Sequence, residues 1–582
     1  MNRYGSIPED KTIDDEPQEQ PVNSPPLFGI FIGLFASVVC IFGIIQMKSG
    51  YGGVVEQSSA LDFSVSAKTS PHVILIVADD LAWNSIGYSS DELAFVTPYL
   101  TALAQEGIIM NNFYAQEVCS PSRGSLLTGR YPLSIGMQYG MVAANAEWGM
   151  PLDETTMAEV LGDGGYNTHM LGKWHLGYFS PKFLPTARGF DSWTGYANGE
   201  NYYWSKKNPD YPQHSDFISA NVTCYSPYSE SDKHDYSTVF YTNKAVEIIE
   251  NNGADSPLFL YVAYQAVHDP FVDYGKYDTG IPDSYFEDSV LSEIRSSVVG
   301  KTRQEYAKAL YLLDKGVGQI VDALDSAGML DNSYVIFMSD NGGCMYGGGK
   351  NGPLRGSKGA LFEGGIKVDS FIYSPLLGDG GTIYNGLMHI SDWFPTIMAL
   401  TGVSYVAEDG YEFDGVNQLD GWMGKGNPRS ALLYNMYQAI ADYNFDIWTN
   451  GSFAVRDGRY KLMHTYDDPL YGDWYSADSV IEDDDELDSS DRCAQQFVKG
   501  KFTYWFFDLL EDPYETSNLY SSTNQLHTMA KAKLYTLLPG YMEKATTKKS
   551  IEFSDMAEVV WSAAGNHILP WANLDESVPV LC

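Results

Sequence analysis

Apolar residues are grouped in three ways along the chain, and each grouping predicts a different kind of element. Leu27–Met47 is uncharged and rich in Phe, Ile, Val and Gly, about long enough to cross a hydrocarbon core of roughly 30 Å. From residue 71 the apolar runs become shorter and alternate in type. Val73–Val77 is a continuous aliphatic run leading to Asp79 and Asp80, the pattern of a parallel strand buried on both faces. A helix follows, with Thr97 at its N-cap, Pro98 in its first turn, Leu100, Leu103 and Ala104 inward, and Gly107 as its stop. Leu258–Ala263 and Tyr334–Met338 repeat the strand pattern on either side of a helical stretch from Lys301 to Leu324, and 166–171 is a shorter candidate. Alternating strands and helices predict a doubly wound α/β fold with a mostly parallel central sheet. After about residue 425, many aromatics and short runs such as Arg459–His464 predict a smaller α+β lobe.

The expected organisation is therefore a polar, acidic, disordered tail over 1–26, a transmembrane signal anchor over 27–47 and a linker over 48–70. A main α/β domain over 71–425 and a smaller C-terminal lobe over 426–582 follow. A cleaved signal peptide is the alternative, with Ser58, Ser59 and Ala60 as its small-residue site. The long leading tail and the distance from the apolar end to that site favour an anchor. The sequons Asn221–Thr223 and Asn450–Ser452 are compatible with a lumenal or extracellular body and a glycoprotein.

Charge narrows the partners. Acidic residues outnumber basic ones 75 to 36, a net charge of −39, which excludes nucleic acid and anionic membrane surfaces as general partners. An anionic substrate requires the few Lys, Arg and His residues to gather locally. Of the six cysteines, Cys40 lies in the apolar segment; besides Cys119, Cys224, Cys344, Cys493 and Cys582 could form two bridges or remain free thiols. The acidic run 482–488 lacks the ligand spacing of a calcium loop and is expected to be solvated.

In open parallel sheets, ligands bind beyond the carboxyl ends of strands. Here those ends deliver Asp79 and Asp80, Asp340 and Asn341, His268, and Lys173 with His175. Three carboxylates and an amide are hard oxygen ligands, suited to calcium or magnesium. Adjacent carboxylates at a buried strand end repel, and a cation is the simplest way to keep both ionised. A separate stretch, Cys119-Ser-Pro-Ser-Arg123 continuing to Arg130, reads locally as a helix start with Ser120 as cap and Pro121 in the first turn. Such a start presents free N–H groups to an anion.

That stretch resembles the sulfatase signature. The resemblance runs from about residue 71 to 519, through His72–Asp80 with Leu81–Trp83, Gly172–Gly177, Pro185–Asp191, Val267, His268 and Pro270. It continues through Ser339–Gly343, Pro353–Lys358, Glu363–Gly365 and His389–Trp393, and is nearest the arylsulfatase B (N-acetylgalactosamine-4-sulfatase) type. It implies an alkaline-phosphatase-like α/β domain and a sulfuric ester hydrolase acting on sulfated polysaccharide or glycosaminoglycan sugars or an aryl sulfate. It also implies one calcium ion per chain held by Asp79, Asp80, modified Cys119, Asp340 and Asn341. A formylglycine-generating enzyme would oxidise Cys119; Lys173, His268 and Lys358 would hold the sulfate, and Arg123 and His175 would orient the modified residue. One hydroxyl of the hydrated aldehyde would attack sulfur with help from Asp340, His268 would protonate the leaving alcohol, and the second hydroxyl would allow sulfate to depart.

Because that oxidation belongs to the endoplasmic reticulum lumen, the resemblance implies a single-pass type II protein, anchored in the bilayer through 27–47 with the tail cytosolic. The anchor, the few cysteines and Gly359, where relatives carry an aromatic, depart from the family pattern, and Gly359 predicts a wider cleft. The competing readings are a metal-dependent phosphatase or phosphodiesterase of the related superfamily, which Cys119 argues against, and a catalytically silent glycan-binding protein, which an intact constellation argues against.

Overall fold

The computed structural model describes residues 70–138, 140–228, 235–272, 280–378, 380–405, 413–436, 452–466, 502–546, 552–572 and 580–582. The expected tail and membrane segment, Asn450, Cys493 and the acidic run 482–488 lie outside them. Among the described residues no helix is long and apolar enough to cross a membrane.

Numbered along the chain, the larger sheet uses β1 (His72–Ala78), β2 (Ile108–Tyr114), β3 (Asn167–Lys173), β4 (Ser192–Tyr196), β5 (Ile218–Asn221), β6 (Cys224–Pro227), β7 (Leu258–Ala263), β8 (Ser333–Ser339), β9 (Ser370–Tyr373) and β10 (Thr382–His389). The smaller sheet uses β11 (Ala431–Met436), β12 (Phe453–Asp457), β13 (Tyr460–Tyr466) and β14 (Phe502–Asp508), and β15 (Val580–Leu581) rejoins the larger one. The larger sheet has the order β10-β2-β9-β8-β1-β7-β3-β4-β5-β6-β15. Its centre, β8-β1-β7-β3-β4, is parallel, whereas β9 runs antiparallel between β8 and β2.

All seven residues of β1 are buried, and the two-residue period of a strand sends them to two cores. Val73, Leu75 and Val77 join Leu126, Trp193 and Trp393 on one face. Ile74, Ile76 and Ala78 join Leu100, Leu310 and Ile320 on the other. The expected strands therefore form, and so does the long helix, which spans Lys301–Ser326. The helix α1 (Pro98–Glu106) also forms, but Thr97 does not cap it: its hydroxyl accepts from Gly87 N and makes no cap bond. The free Tyr99 and Leu100 N–H groups donate instead to the Asp314 carboxylate of the long helix, at 3.2 and 2.7 Å. A side-chain carboxyl from another element satisfies the N–H groups that a local cap would have taken.

The smaller sheet is antiparallel, in the order β11-β12-β13-β14. One of its faces packs Leu432, Met463 and Phe507 against Tyr114, Leu361 and Ile366 of the larger unit. After residue 552 the chain leaves this sheet and returns to the larger core, where Trp561, Ile568 and Trp571 are buried. A Cys224–Cys582 disulfide fastens the C-terminus to β6. Cys344 is also disulfide-bonded, and Cys119 is a free, buried thiol.

Candidate active site

The strand register decides which side chains meet. Ala78 is level with Ser339 across β1 and β8, so Asp79 and Asp80 leave the sheet beside Asp340 and Asn341. On the other side of β1, β7 leads to His268, and beyond it β3 ends in Lys173. Asp80 and His175 then take left-handed backbone conformations, φ 57° and 55°, which are uncommon for residues with a side chain and cluster where function requires a sharp redirection. The His175 ring also depends on Gly199, where a Cβ would stand 2.7 Å from it.

Cys119 arrives as the first residue of α2 (Cys119–Thr128). The expected cap by Ser120 does not form. Val118 occupies the cap position without a side-chain bond, and Ser120 Oγ instead donates to His175 O at 2.8 Å and accepts from Val142 N at 3.0 Å. Ser120 is spent holding the loop that carries His175.

The predicted residues converge. One candidate ligand atom from each of Asp79, Asp80, Cys119 and His268 lies within 4.8 Å of the others. Lys173 Nζ lies 2.7 Å from Asp79 Oδ2 and 3.2 Å from Cys119 Sγ, while Cys119 Sγ is 3.6 Å from Asp79 Oδ1. Lys358 Nζ is 2.8 Å from Asp80 Oδ2 and 3.0 Å from His268 Nε2. Arg123 donates from Nε and Nη2 to Asp340 Oδ2 at 3.0 and 2.8 Å and from Nη1 to Lys173 O at 3.3 Å. Asn341 Nδ2 donates to Asp80 Oδ1 at 2.7 Å, while its buried Oδ1 meets no donor.

Burial governs the electrostatics. It pushes the Cys119 thiol up to about 12, despite Lys173 and Lys358 nearby, so the unmodified cysteine is a poor nucleophile at neutral pH. Burial and the Lys358 ammonium bring His268 down to about 4. Burial opposes ionisation of Asp80, but Lys358, His268 and Lys173 outweigh it and hold that carboxyl below the usual range. Three carboxylates (Asp79, Asp80, Asp340) face three cations (Arg123, Lys173, Lys358), a balanced set to which a divalent cation adds the charge an anionic ester requires. The three carboxylates and the orphan Asn341 oxygen are a hard donor set that fits calcium or magnesium.

Sequence reasoning missed the supports around this cluster. Ser122 Oγ accepts from Gln116 N at 2.9 Å and donates to Asp340 O. Tyr203 OH donates to His268 O at 2.8 Å from a ring stacked on Tyr236. Tyr203 lies in an aromatic run with no motif to distinguish it. Gly359 has a backbone reason to be glycine: its φ is +86° and its N–H bonds Glu117 O at 2.8 Å.

Residues 71–403 match the family model described as Sulfatase. Arylsulfatase J of Mus musculus is 34% identical over 474 residues, covering 78% of this chain and 73% of that protein. N-acetylgalactosamine-6-sulfatase of Homo sapiens is 31% identical, covering 67% and 74% respectively. Among solved structures, Ps i-CgsB in complex with k-i-k-neocarrahexaose superposes with a TM-score of 0.64 at 25% identity, over 85% of this chain and 98% of that one.

Proposed function

The chain belongs to the sulfatase family, and from that premise we propose that it hydrolyses sulfate esters on polysaccharide or glycosaminoglycan sugars with Cys119 as its modified nucleophile. It is a sulfuric ester hydrolase. The observation that carries the finer reading is the convergence of Cys119, Lys173, His268 and Lys358 on the strand-end carboxylates. Formylglycine at Cys119 would supply a hydrated aldehyde with one hydroxyl for attack on sulfur and a second for release of sulfate, and calcium would supply positive charge beside it. Asp79, Asp80, Asp340 and Asn341, with the modified Cys119, are the residues that would hold the ion.

The chain's own groups do the rest. Lys173 and Lys358 flank Cys119 and Asp80 and bind the sulfuryl oxygens, offsetting charge as it develops. Arg123 fixes Asp340 through the carboxylate oxygen it occupies, leaving Oδ1 toward the Asp80 N–H at 3.3 Å and free to take a proton from the nucleophile. His175 orients the modified residue. His268 Nε2, kept neutral by burial and the Lys358 ammonium, accepts from Lys358 Nζ at 3.0 Å and relays a proton from that ammonium to the departing sugar oxygen.

A sulfated sugar is supported by a relative named N-acetylgalactosamine-6-sulfatase and by a neighbour solved with neocarrahexaose. The expected arylsulfatase B type makes 4-sulfated N-acetylgalactosamine the first substrate to test. The test is sulfate release from a panel of defined 4- and 6-sulfated glycans, beside an aryl sulfate and an aryl phosphate. Release from sulfated sugars is expected; turnover of the aryl phosphate alone would refute the assignment.

The body is assigned to the lumenal or extracellular side, anchored by 27–47 in the bilayer and matured by a formylglycine-generating enzyme. A disulfide at Cys224–Cys582 and a bonded Cys344 support an oxidising compartment. Asn221 is exposed at the end of β5, as a glycosylated sequon requires.

A further inference from the structure

The loop 353–362 carries Lys358, and the smaller sheet together with the segment that follows β14 holds it at both ends. Near its start, the Arg355 guanidinium lies 4.1 Å from the Phe362 ring centroid and 4.4 Å from that of Trp505 in β14, and it donates to Glu515 O at 3.4 Å. Just beyond its end, Glu363 N donates to Glu515 Oε2 at 2.7 Å. Lys461 of β13 ties the same point, with Nζ 2.8 Å from Glu515 Oε1 and 3.0 Å from Glu363 Oε1.

These groups are fully or almost fully buried: Glu363 is 2% exposed, and Glu515 and Lys461 are at 0%. Burying charges at a contact between two sheets costs desolvation that apolar side chains would avoid, so such a cluster is a weak source of stability and a strong source of fixed geometry. Glu515 also adopts a left-handed φ of 57°. Among the described residues that conformation occurs without glycine at four other positions, and two of them are Asp80 and His175. Strain of this kind persists where the surroundings over-determine a position.

We propose that Glu515, Lys461 and Arg355 are positioning residues for Lys358, so that the smaller sheet sets where its ammonium stands against Asp80 and His268. The inference rests on the reading of Lys358 as a group that holds the sulfate. A misplacement of about 1 Å at such a group costs on the order of 10²-fold in rate, and a partial displacement about tenfold.

The test is a double-mutant cycle on the full chain. Glu515→Gln, Lys461→Met and Arg355→Lys are each made with Lys358 present and with Lys358→Ala, and kcat/KM for an aryl sulfate is measured. Each substitution is expected to lower kcat/KM about tenfold beside Lys358 and less than about twofold further beside Lys358→Ala. The same cycle read on affinity for inorganic sulfate by calorimetry needs no turnover, and the same non-additivity is expected. Equal losses in both backgrounds, or no loss from any of the three in folded protein, overturn the inference. Full activity of Lys358→Ala overturns the reading of the site itself, a separate outcome.

Discussion

Replacing Arg123 with Met tests how far the site is held by one buried cation. Arg123 is at 0% exposure, and both Nε and Nη2 bond the same oxygen of Asp340, while Nη2 also lies 3.6 Å from Asp79 Oδ1. Methionine keeps the unbranched apolar stem but removes the guanidinium and its charge, leaving two buried carboxylates facing each other without that partner. Removing one member of a buried ion pair costs about 3–5 kcal/mol. For a body of about 500 residues the unfolding entropy is about 1 kcal/mol/K, so the melting temperature should fall by about 3–5 °C. Activity should fall further, by at least about a hundredfold in kcat/KM, because Asp340 loses its orientation toward the nucleophile. Arg123→Lys keeps the charge without the fork and should fall between the two. Thermal melting beside steady-state kinetics on an aryl sulfate makes the comparison. A variant melting within about 1 °C of the parent and turning over within about threefold of it would refute the reasoning.

His268→Asn should lower hydrolysis of sugar sulfates by about a hundredfold or more and of an activated aryl sulfate much less, since a phenolate leaves without a proton; equal losses on both would remove the general-acid role. Burial pushes the Asp314 carboxyl up to about 7, so the folded protein holds a proton that the unfolded chain releases near pH 4. The stability this group contributes is complete below about pH 4 and is lost as pH rises through about 7. Asp314→Asn, which keeps an acceptor for Leu100 N, should flatten the fall in melting temperature across that window, and an unchanged slope would contradict the assignment. For topology, the protein should stay with membranes through an alkaline carbonate wash, and glycosidase should shift its gel mobility. Protease added to sealed microsomes should trim only the acidic tail; digestion of the whole body there would overturn the type II arrangement.

Much of the site was legible because strand ends announce themselves. A buried parallel strand is an unbroken aliphatic run, so Asp79, Asp80, Asp340 and Asn341 stand out as polar residues at its terminus. The motif around Cys119 added the candidate nucleophile, and the register of β1 with its neighbours brings the two sets together. What was not legible depends on contacts distant along the chain. Capping of α1 by Asp314 and of Glu363 N by Glu515 replaces a local cap with a remote carboxylate, and no local pattern encodes which remote group arrives. The antiparallel insertion of β9 and the return of residues 552–572 to the larger core are likewise decided by packing rather than periodicity. Ser120 illustrates the limit of a local rule: it has the right identity and place for a cap, yet bonding to His175 O takes its hydroxyl elsewhere.

The most direct measurement is the mass of the tryptic peptide that carries Cys119, taken from catalytically active protein expressed with the oxidising enzyme. The thiol in this position is buried and pushed up to about 12, so activity should belong to the aldehyde form. The account predicts that the aldehyde fraction rises and falls with sulfatase activity across preparations and that Cys119→Ser, folded normally, has none. Full activity in protein whose Cys119 is entirely unmodified thiol would contradict it.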